Sequence, residues 1–458
     1  MLCRLLCVLL FLAWTAEAPN DTVIYEGHWR SVFEFFGPLF VTIPGVALTP
    51  WQLVVFALTP VYLLMPAGHR RRAWLMDGAI LVSFASVALT FLWGWTRGGS
   101  AYHAYYQLWR FLLALLFALL LLASVRGARD LRRLGFTIVV AAVVRAVLAV
   151  YFYWFVVLKK NLEPAPLYMT THDDSLLFIT ALLVTFTYAL FRASWKVWSV
   201  AWLVWALLLY AIVLNNRRLA WLELVLSLFC AILVLPRGPV RRRVNRALLV
   251  AAPVLLVYVG IGWGRSGPFF EPVRALSTSG SNEDASSLAR QEEIRNLMYT
   301  LSVAGNPLLG TGWGVPYQQV SGVYTHFEGG FADYAYRPHN SLMAVVVFGG
   351  LVGLFGIWMV VPVTAFLAAS GMRRAAGPVE CAAAASAASM LPAYGVQCYG
   401  DIGFQSVTCG LLLASAMVAA AKVSVLAPVV QPHPERERVR VPRLRPVRPV
   451  PALPLERN

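Results

Sequence analysis

The chain has 458 residues, of which 59% are hydrophobic and 13% charged, with a formal net charge of +16. A soluble domain carries about 25% charged residues, so this composition excludes a water-soluble globule and makes the bilayer the solvent. It also argues against a nucleic-acid partner, because the cations sit in short clusters between apolar runs, where membrane topology accounts for them.

Residues 1–18 combine an apolar run, 2–14, with Ala16-Glu17-Ala18. They read either as a signal peptide or as an uncleaved first helix. On both readings residues 19–37 lie outside the cytoplasm. With His28, Trp29, Phe33, Phe35 and Phe36, they suit an interfacial helix.

A membrane helix needs roughly 20 apolar residues. Such runs recur near 38–66, 75–96, 109–125, 134–158, 175–191, 197–214, 219–235, 247–264, 341–369, 379–397 and 404–426. The basic clusters at 69–72, 126–133, 192–196, 237–246 and 371–374 all fall on one side if every run spans, and that side is then the cytoplasm. The expected fold class is an all-α polytopic membrane protein with about 11–12 transmembrane helices and one large external, periplasmic loop. Its parts are a helix bundle over 19–264, the loop over 265–340, C-terminal helices over 341–426, and a tail over 427–458. The tail is rich in Pro and Arg, cannot build a packed core and reads as disordered, with its cations near anionic lipid. Nearly all of Cys3, Cys7, Cys230, Cys381, Cys398 and Cys409 lie in apolar runs, and none forms a CxxC pair, so they read as small core residues.

Polar residues inside this apolar frame are the candidates for function. Arg145 lies mid-run and should face the bundle interior, either toward an anionic ligand or toward a buried structural partner. His172-Asp173-Asp174 precede a helix expected from Ser175, which Asp173 or Asp174 would cap, a metal site being the alternative. Arg217 and Arg218, after Asn215-Asn216, stand on the outer side against the charge bias. They either hold an external anion or snorkel to headgroups.

The 265–340 loop concentrates the remaining chemistry. Capping groups at Asn282–Ser287 and apolar residues Leu288, Ile294, Leu297, Met298 and Leu301 predict an amphipathic helix over 287–304 near the membrane surface. Arg290 falls in its first turn, against the helix dipole and partly compensated by Glu292 and Glu293, which suggests use rather than stability, a solvated surface Arg being the alternative. Gly310-Thr311-Gly312-Trp313-Gly314 has no preceding strand and no βαβ context, so it is not a dinucleotide fingerprint. Close packing of a re-entrant loop against neighbouring backbone suits it better. Trp313, Tyr317, Tyr324, Phe327, Tyr334 and Tyr336 surround it, as sugar-stacking faces or an interfacial belt. His339 follows Pro338 at the mouth of a membrane helix, whose N-terminus disfavours a charged ring. A neutral imidazole there is a candidate general base, a capping or packing histidine at a helix entrance being the alternative that the residue alone favours.

The order of these features resembles the O-antigen ligase family, which includes lipopolysaccharide O-antigen ligases and Wzy-type polysaccharide polymerases. The likeness covers roughly 200–370 and rests on Arg at a late outer helix end, a loop Arg, Asn306-Pro-Leu-Leu-Gly310-Thr-Gly312-Trp-Gly314, and Pro338-His339-Asn340-Ser341. The chain departs from the family pattern at Ile294, where a Trp is common a few residues after the loop Arg, and at Asn216-Arg217-Arg218-Leu219, where Ser-Arg and a small residue are usual.

The resemblance implies an enzyme of the bacterial inner membrane. It would move a glycan from an undecaprenyl-diphosphate carrier to a sugar hydroxyl on a glycan or lipid A-core acceptor, with no cofactor and no required metal. By position, Arg290 and His339 match the catalytic loop residues. Arg290 with Arg217 or Arg218 would hold the diphosphate. A polytopic transporter or flippase for an anionic lipid or solute is the alternative from another class, since the arginines would serve there too.

Overall fold

The computed structural model describes residues 1–16, 49–64, 73–159, 169–265, 285–320 and 335–426, with 267, 270 and 272–274 between them. The interfacial segment 19–37, the cluster 69–72, Tyr324, Phe327, Tyr334 and the tail 427–458 lie outside the described residues.

The helices are α1 (Leu2–Ala16), α2 (Pro50–Leu64), α3 (Trp74–Thr96), α4 (Ala101–Ser124), α5 (Ala128–Phe152, continued as a π-turn to Leu158), α6 (Asp174–Arg192), α7 (Trp195–Leu214), α8 (Arg218–Val234), α9 (Pro239–Gly262), α10 (Ala285–Ala304), α11 (Ser341–Gly356), α12 (Val360–Arg374), α13 (Pro378–Gly400) and α14 (Val407–Leu426). The described residues hold no strand, so the protein is an all-α, multi-pass membrane protein. Eight segments are long and apolar enough to cross a bilayer. Four more helices take their place in the alternating order: α1 and α2, with 15 residues each, α8, with 17, and α13, whose 23 residues are rich in Ala, Ser and Gly rather than strongly apolar.

Helix ends depart from the apolar runs where polar residues cap or extend them. The run at 109–125 starts instead at Ala101, because the Ser100 side chain accepts the His103 N–H and carries the helix through Tyr, His and Gln residues. Neither Asp173 nor Asp174 caps a helix by its side chain in the way expected, since α6 begins at Asp174 and no such bond is made at Asp173. Asp174 instead pairs with Arg145. The guanidinium donates Nε (3.0 Å) and Nη2 (2.6 Å) to the carboxylate, and both side chains are buried. Arg145 thus has a structural partner, as one of its two readings held. Removing either member would strand a buried charge and cost about 3–5 kcal/mol.

Successive helices alternate direction, so 97–100, 172–174, 215–217, 337–341 and 401–406 gather at one end of the bundle. The described basic clusters lie at the other end. The run 341–369, expected as one helix, is broken. Gly350 takes φ 58°, ψ −152°, and a short 3₁₀ turn at Ile357–Met359 joins α11 to α12.

The glycine-rich loop fills that break. Leu351 N and Val352 N would ordinarily donate to Val347 O and Phe348 O, four residues back. They donate instead to Pro307 O (3.0 Å) and Leu308 O (2.9 Å), while Thr311 N and Gly312 N take up Val347 O (2.8 Å) and Phe348 O (3.0 Å). Trp93 Nε1 donates to Gly310 O, Gly314 N to Gln107 Oε1, and Ser100 N to Gly314 O. The close-packing role expected for this loop is what the contacts show.

The approach is close enough to require glycine. Gly312 has φ +90°, and a Cβ there would lie 2.2 Å from Gly94 Cα. Gly312→Ala should therefore lower stability by at least about 1–3 kcal/mol, measured as thermal unfolding in detergent. Gly78→Ala, where a Cβ meets nothing within 4 Å, should be neutral or mildly stabilising. Equal melting temperatures for the two variants would refute the tight seating of the loop.

Candidate active site

The loop helix and the mouth of α11 meet through one carboxylate. Glu293 is 1% exposed. Its Oε1 accepts Asn340 N (3.1 Å) and its Oε2 faces His339 Nδ1 at 3.2 Å. An ionised carboxylate can only accept, so the proton sits on Nδ1 and the acceptor lone pair of the ring on Nε2. Asn340, not His339, caps α11, its side chain accepting Met343 N. What the ring meets is therefore a carboxylate rather than the helix N-terminus alone, which corrects the expected origin of its chemistry.

The helix expected at 287–304 is α10, and its buried face is largely polar. The capping groups Asn282–Asp284 lie outside the described residues. Glu293, Asn296, Leu297 and Thr300 turn inward, while Leu288 and Met298 are exposed. The inward polar groups bind backbone: Asn296 Oδ1 accepts Val320 N and Thr300 Oγ1 accepts Gln318 N. The helix thus covers a polar peptide segment, which explains a polar inner face. Arg290 lies one turn before Glu293 on the same side of α10, half-buried, and makes no hydrogen bond or ion pair among the described residues.

Arg217 occupies the N-cap position of α8 in extended conformation, and Arg218 begins the helix with its side chain exposed. Arg217 acts electrostatically on Asp401, which also pairs with His172 and accepts Ile402 N at 2.8 Å. Ser341 Oγ donates to Asp401 O (2.7 Å), tying this group to the segment that carries His339. The structure therefore brings Arg217, rather than Arg218, into the polar cluster. The three residues at 172–174 diverge: His172 to Asp401, Asp173 to Ser406, Asp174 to Arg145.

Two loop aromatics expected among possible sugar-stacking faces are core residues instead. Trp313 and Tyr317 are buried, and Trp313 packs on Phe348 and Phe404 with its Nε1 donating to Thr90 Oγ1. Tyr336 stacks on His103 with ring centroids 3.7 Å apart. Neither Glu293 nor Asp401 was read from the sequence as a site residue. Glu293 was visible only as a carboxylate one helical turn after Arg290, and Asp401 carried no local signal.

Residues 202–358, from within α7 to the 3₁₀ turn after α11, match the family model of the O-antigen ligases. The similarity covers residues 202–358 of the 458-residue chain. The matched stretch contains Arg217, Arg290, Glu293 and His339 but not His172 or Asp401, so part of the polar cluster lies beyond it. No curated protein matches the chain.

Burial on its own would raise the Asp401 carboxyl. The hydrogen bond and charge of His172, then the charge of Arg217 and the Ile402 N–H, outweigh burial and bring the carboxyl down to about 2. Its folded value lies below the 3.8 of an ordinary Asp. The ionised form therefore stabilises the fold above about pH 4, and that contribution is lost as pH falls through the folded value. Melting temperature between pH 5 and 2 should fall less steeply in Asp401→Asn than in the unaltered protein. Identical acid profiles would show that the Asp401 carboxylate contributes nothing.

Proposed function

We propose that this protein is an enzyme of the O-antigen ligase type, which transfers a glycan from an undecaprenyl-diphosphate carrier to a sugar hydroxyl at the periplasmic face of a bacterial inner membrane. The observation that carries the reading is the Glu293–His339 pair, one helical turn from Arg290, in the stretch that matches the family. A histidine backed by a buried carboxylate is the arrangement that general-base chemistry needs, and it favours a bond-forming reaction over transport.

Arg290 and Arg217 hold the diphosphate, whose oxygens suit the planar fork of a guanidinium. His339 Nε2 takes the proton of the acceptor hydroxyl as its oxygen attacks the anomeric carbon. The bond from that carbon to the phosphate oxygen breaks, and the diphosphate leaves with the electron pair, stabilised by the arginines. Glu293 holds the ring in the required tautomer and stabilises the imidazolium as it forms. Attack from the face opposite the leaving group inverts the anomeric configuration. The chain's residues supply the base and the cations, so the step is written without a cofactor. The acceptor is a growing glycan or a lipid A-core sugar. Ligase and polymerase differ in which one, and deletion separates them: accumulated lipid-linked polymer marks a ligase, accumulated single repeat units a polymerase.

Purified protein given lipid-linked glycan and acceptor should form a glycosidic product and free undecaprenyl diphosphate. Translocation without bond formation would establish transport instead. His339→Gln should lose about 10²–10⁴-fold in rate while keeping donor binding. Glu293→Gln should lose part of that and change the pH profile of transfer, as expected of a positioning residue. Arg290→Lys should also be poor, and near-normal activity of that variant would reduce the clamp to bulk charge.

Topology has a separate check. In intact spheroplasts an impermeant thiol reagent should label Gln318→Cys and spare Arg242→Cys. The opposite pattern would place the catalytic loop in the cytoplasm and overturn the reading.

A further inference from the structure

A second group of cations lies near the mouth of α11 and takes no part in the reaction above. Arg110 sits in the third turn of α4, roughly 13 Å along the helix from its start. Its guanidinium lies 4.8 Å from the Trp109 ring centroid and 5.5 Å from that of Tyr106. The same Tyr106 ring carries Arg337 at 4.7 Å, and Arg337 Nη1 donates to the Tyr106 hydroxyl at 3.3 Å. Arg110 Nη1 is buried with no hydrogen-bond partner, and no carboxylate among the described residues pairs with Arg110.

Gln405 supplies an independent observation. It is 1% exposed, in the short turn between α13 and α14. Its Oε1 accepts Arg337 Nε at 3.2 Å, which fixes the orientation of the amide. Its Nε2, a donor, is then buried without a partner. A buried donor left unmet is costly. Arg110 Nη1 and Gln405 Nε2 both lack an acceptor.

Flat aromatic faces adjoin the cluster. Tyr102, 66% exposed, stacks on Tyr106, and Tyr105 stacks on Trp109. Such faces suit a sugar ring. The 401–406 turn divides the two groups of cations, for Asp401 meets Arg217 and His172 while Gln405 meets Arg337.

We infer that Arg110, Arg337 and Gln405 form a subsite for an anionic substituent, a phosphate or a carboxylate, on a sugar of the acceptor glycan. The word acceptor rests on the proposed transferase reading; the anionic-sugar site itself rests on the cluster.

The test is calorimetric binding to the full chain purified in detergent, with glucose 6-phosphate, glucuronate, glucose and inorganic phosphate as probes. The two acidic sugars should bind, glucose should not, and inorganic phosphate should bind at least about tenfold more weakly than glucose 6-phosphate. Arg110→Gln should weaken the acidic sugars at least tenfold, whereas Arg290→Gln should leave them unchanged. Gln405→Glu should raise the melting temperature and block binding, because it places a fixed anion among the cations. That variant keeps the test decisive should Arg110→Gln fold poorly.

Absence of binding, or loss through Arg290 rather than Arg110, would overturn the subsite. Equal binding of inorganic phosphate would overturn the sugar assignment. Arg110-dependent binding without any glycosidic product would instead sink the transferase reading and leave the subsite standing.

Discussion

The architecture depends on replacing a broken helical ladder. A chain in a bilayer must satisfy every backbone amide and carbonyl within the protein. Gly350 violates that demand by leaving the α11 ladder unclosed. The loop at 307–312 meets it from outside, with two carbonyls for Leu351 and Val352 and two amides for Val347 and Phe348. The repair works in both directions, because the loop is held in place by the gap it fills. From Gly314 the chain leads into the 317–320 segment that α10 covers, so the position of the site traces back to four peptide bonds.

Above that seam, each polar group has been given a job that sorts it by depth. Arg145 and Asp174 neutralise each other inside the bundle and lend no charge to a substrate. Asp401, in the turn above α13, gathers His172 and Arg217 and is tied through Ser341 to the histidine segment. Glu293 reaches from the covering helix to the same segment. Arg290 stays outside these pairings and stands next to the carboxylate that orients the base.

The fold was legible because spans of apolar residues and alternating basic clusters are read by the bilayer one helix at a time. Helix positions such as α6 and α8 came within a residue or two. The broken run at 341–369 was not legible, since Gly349-Gly350 inside an apolar stretch is tolerated in a membrane helix and the partner that opens it lies about 40 residues earlier. Arg290, His339 and the Arg217/Arg218 pair could be singled out because a charge or imidazole at such places needs a reason. Separating Arg217 from Arg218 needs three dimensions, because it is the charge of Arg217 that acts on Asp401 while Arg218 stands exposed. Glu293 and Asp401 escaped for the same cause: a carboxylate near a basic residue is ordinary in sequence, and only folding reveals which one is buried against an imidazole. The existence of α10 was legible from its apolar spacing, but its polar inner face was not, because what it covers is peptide backbone.

The covering helix also ties the two halves of the pair to different parts of the chain. α10 carries the carboxylate and the Arg290 cation, while the imidazole belongs to the mouth of α11. The outward side of α10 presents Leu288, Met298 and Val303. Its inward side is held by Asn296 and Thr300, which accept Val320 N and Gln318 N. The separation between carboxylate and imidazole is therefore set by how α10 seats on that peptide segment, so a substitution at Asn296 or Thr300 acts on the pair without altering either member of it.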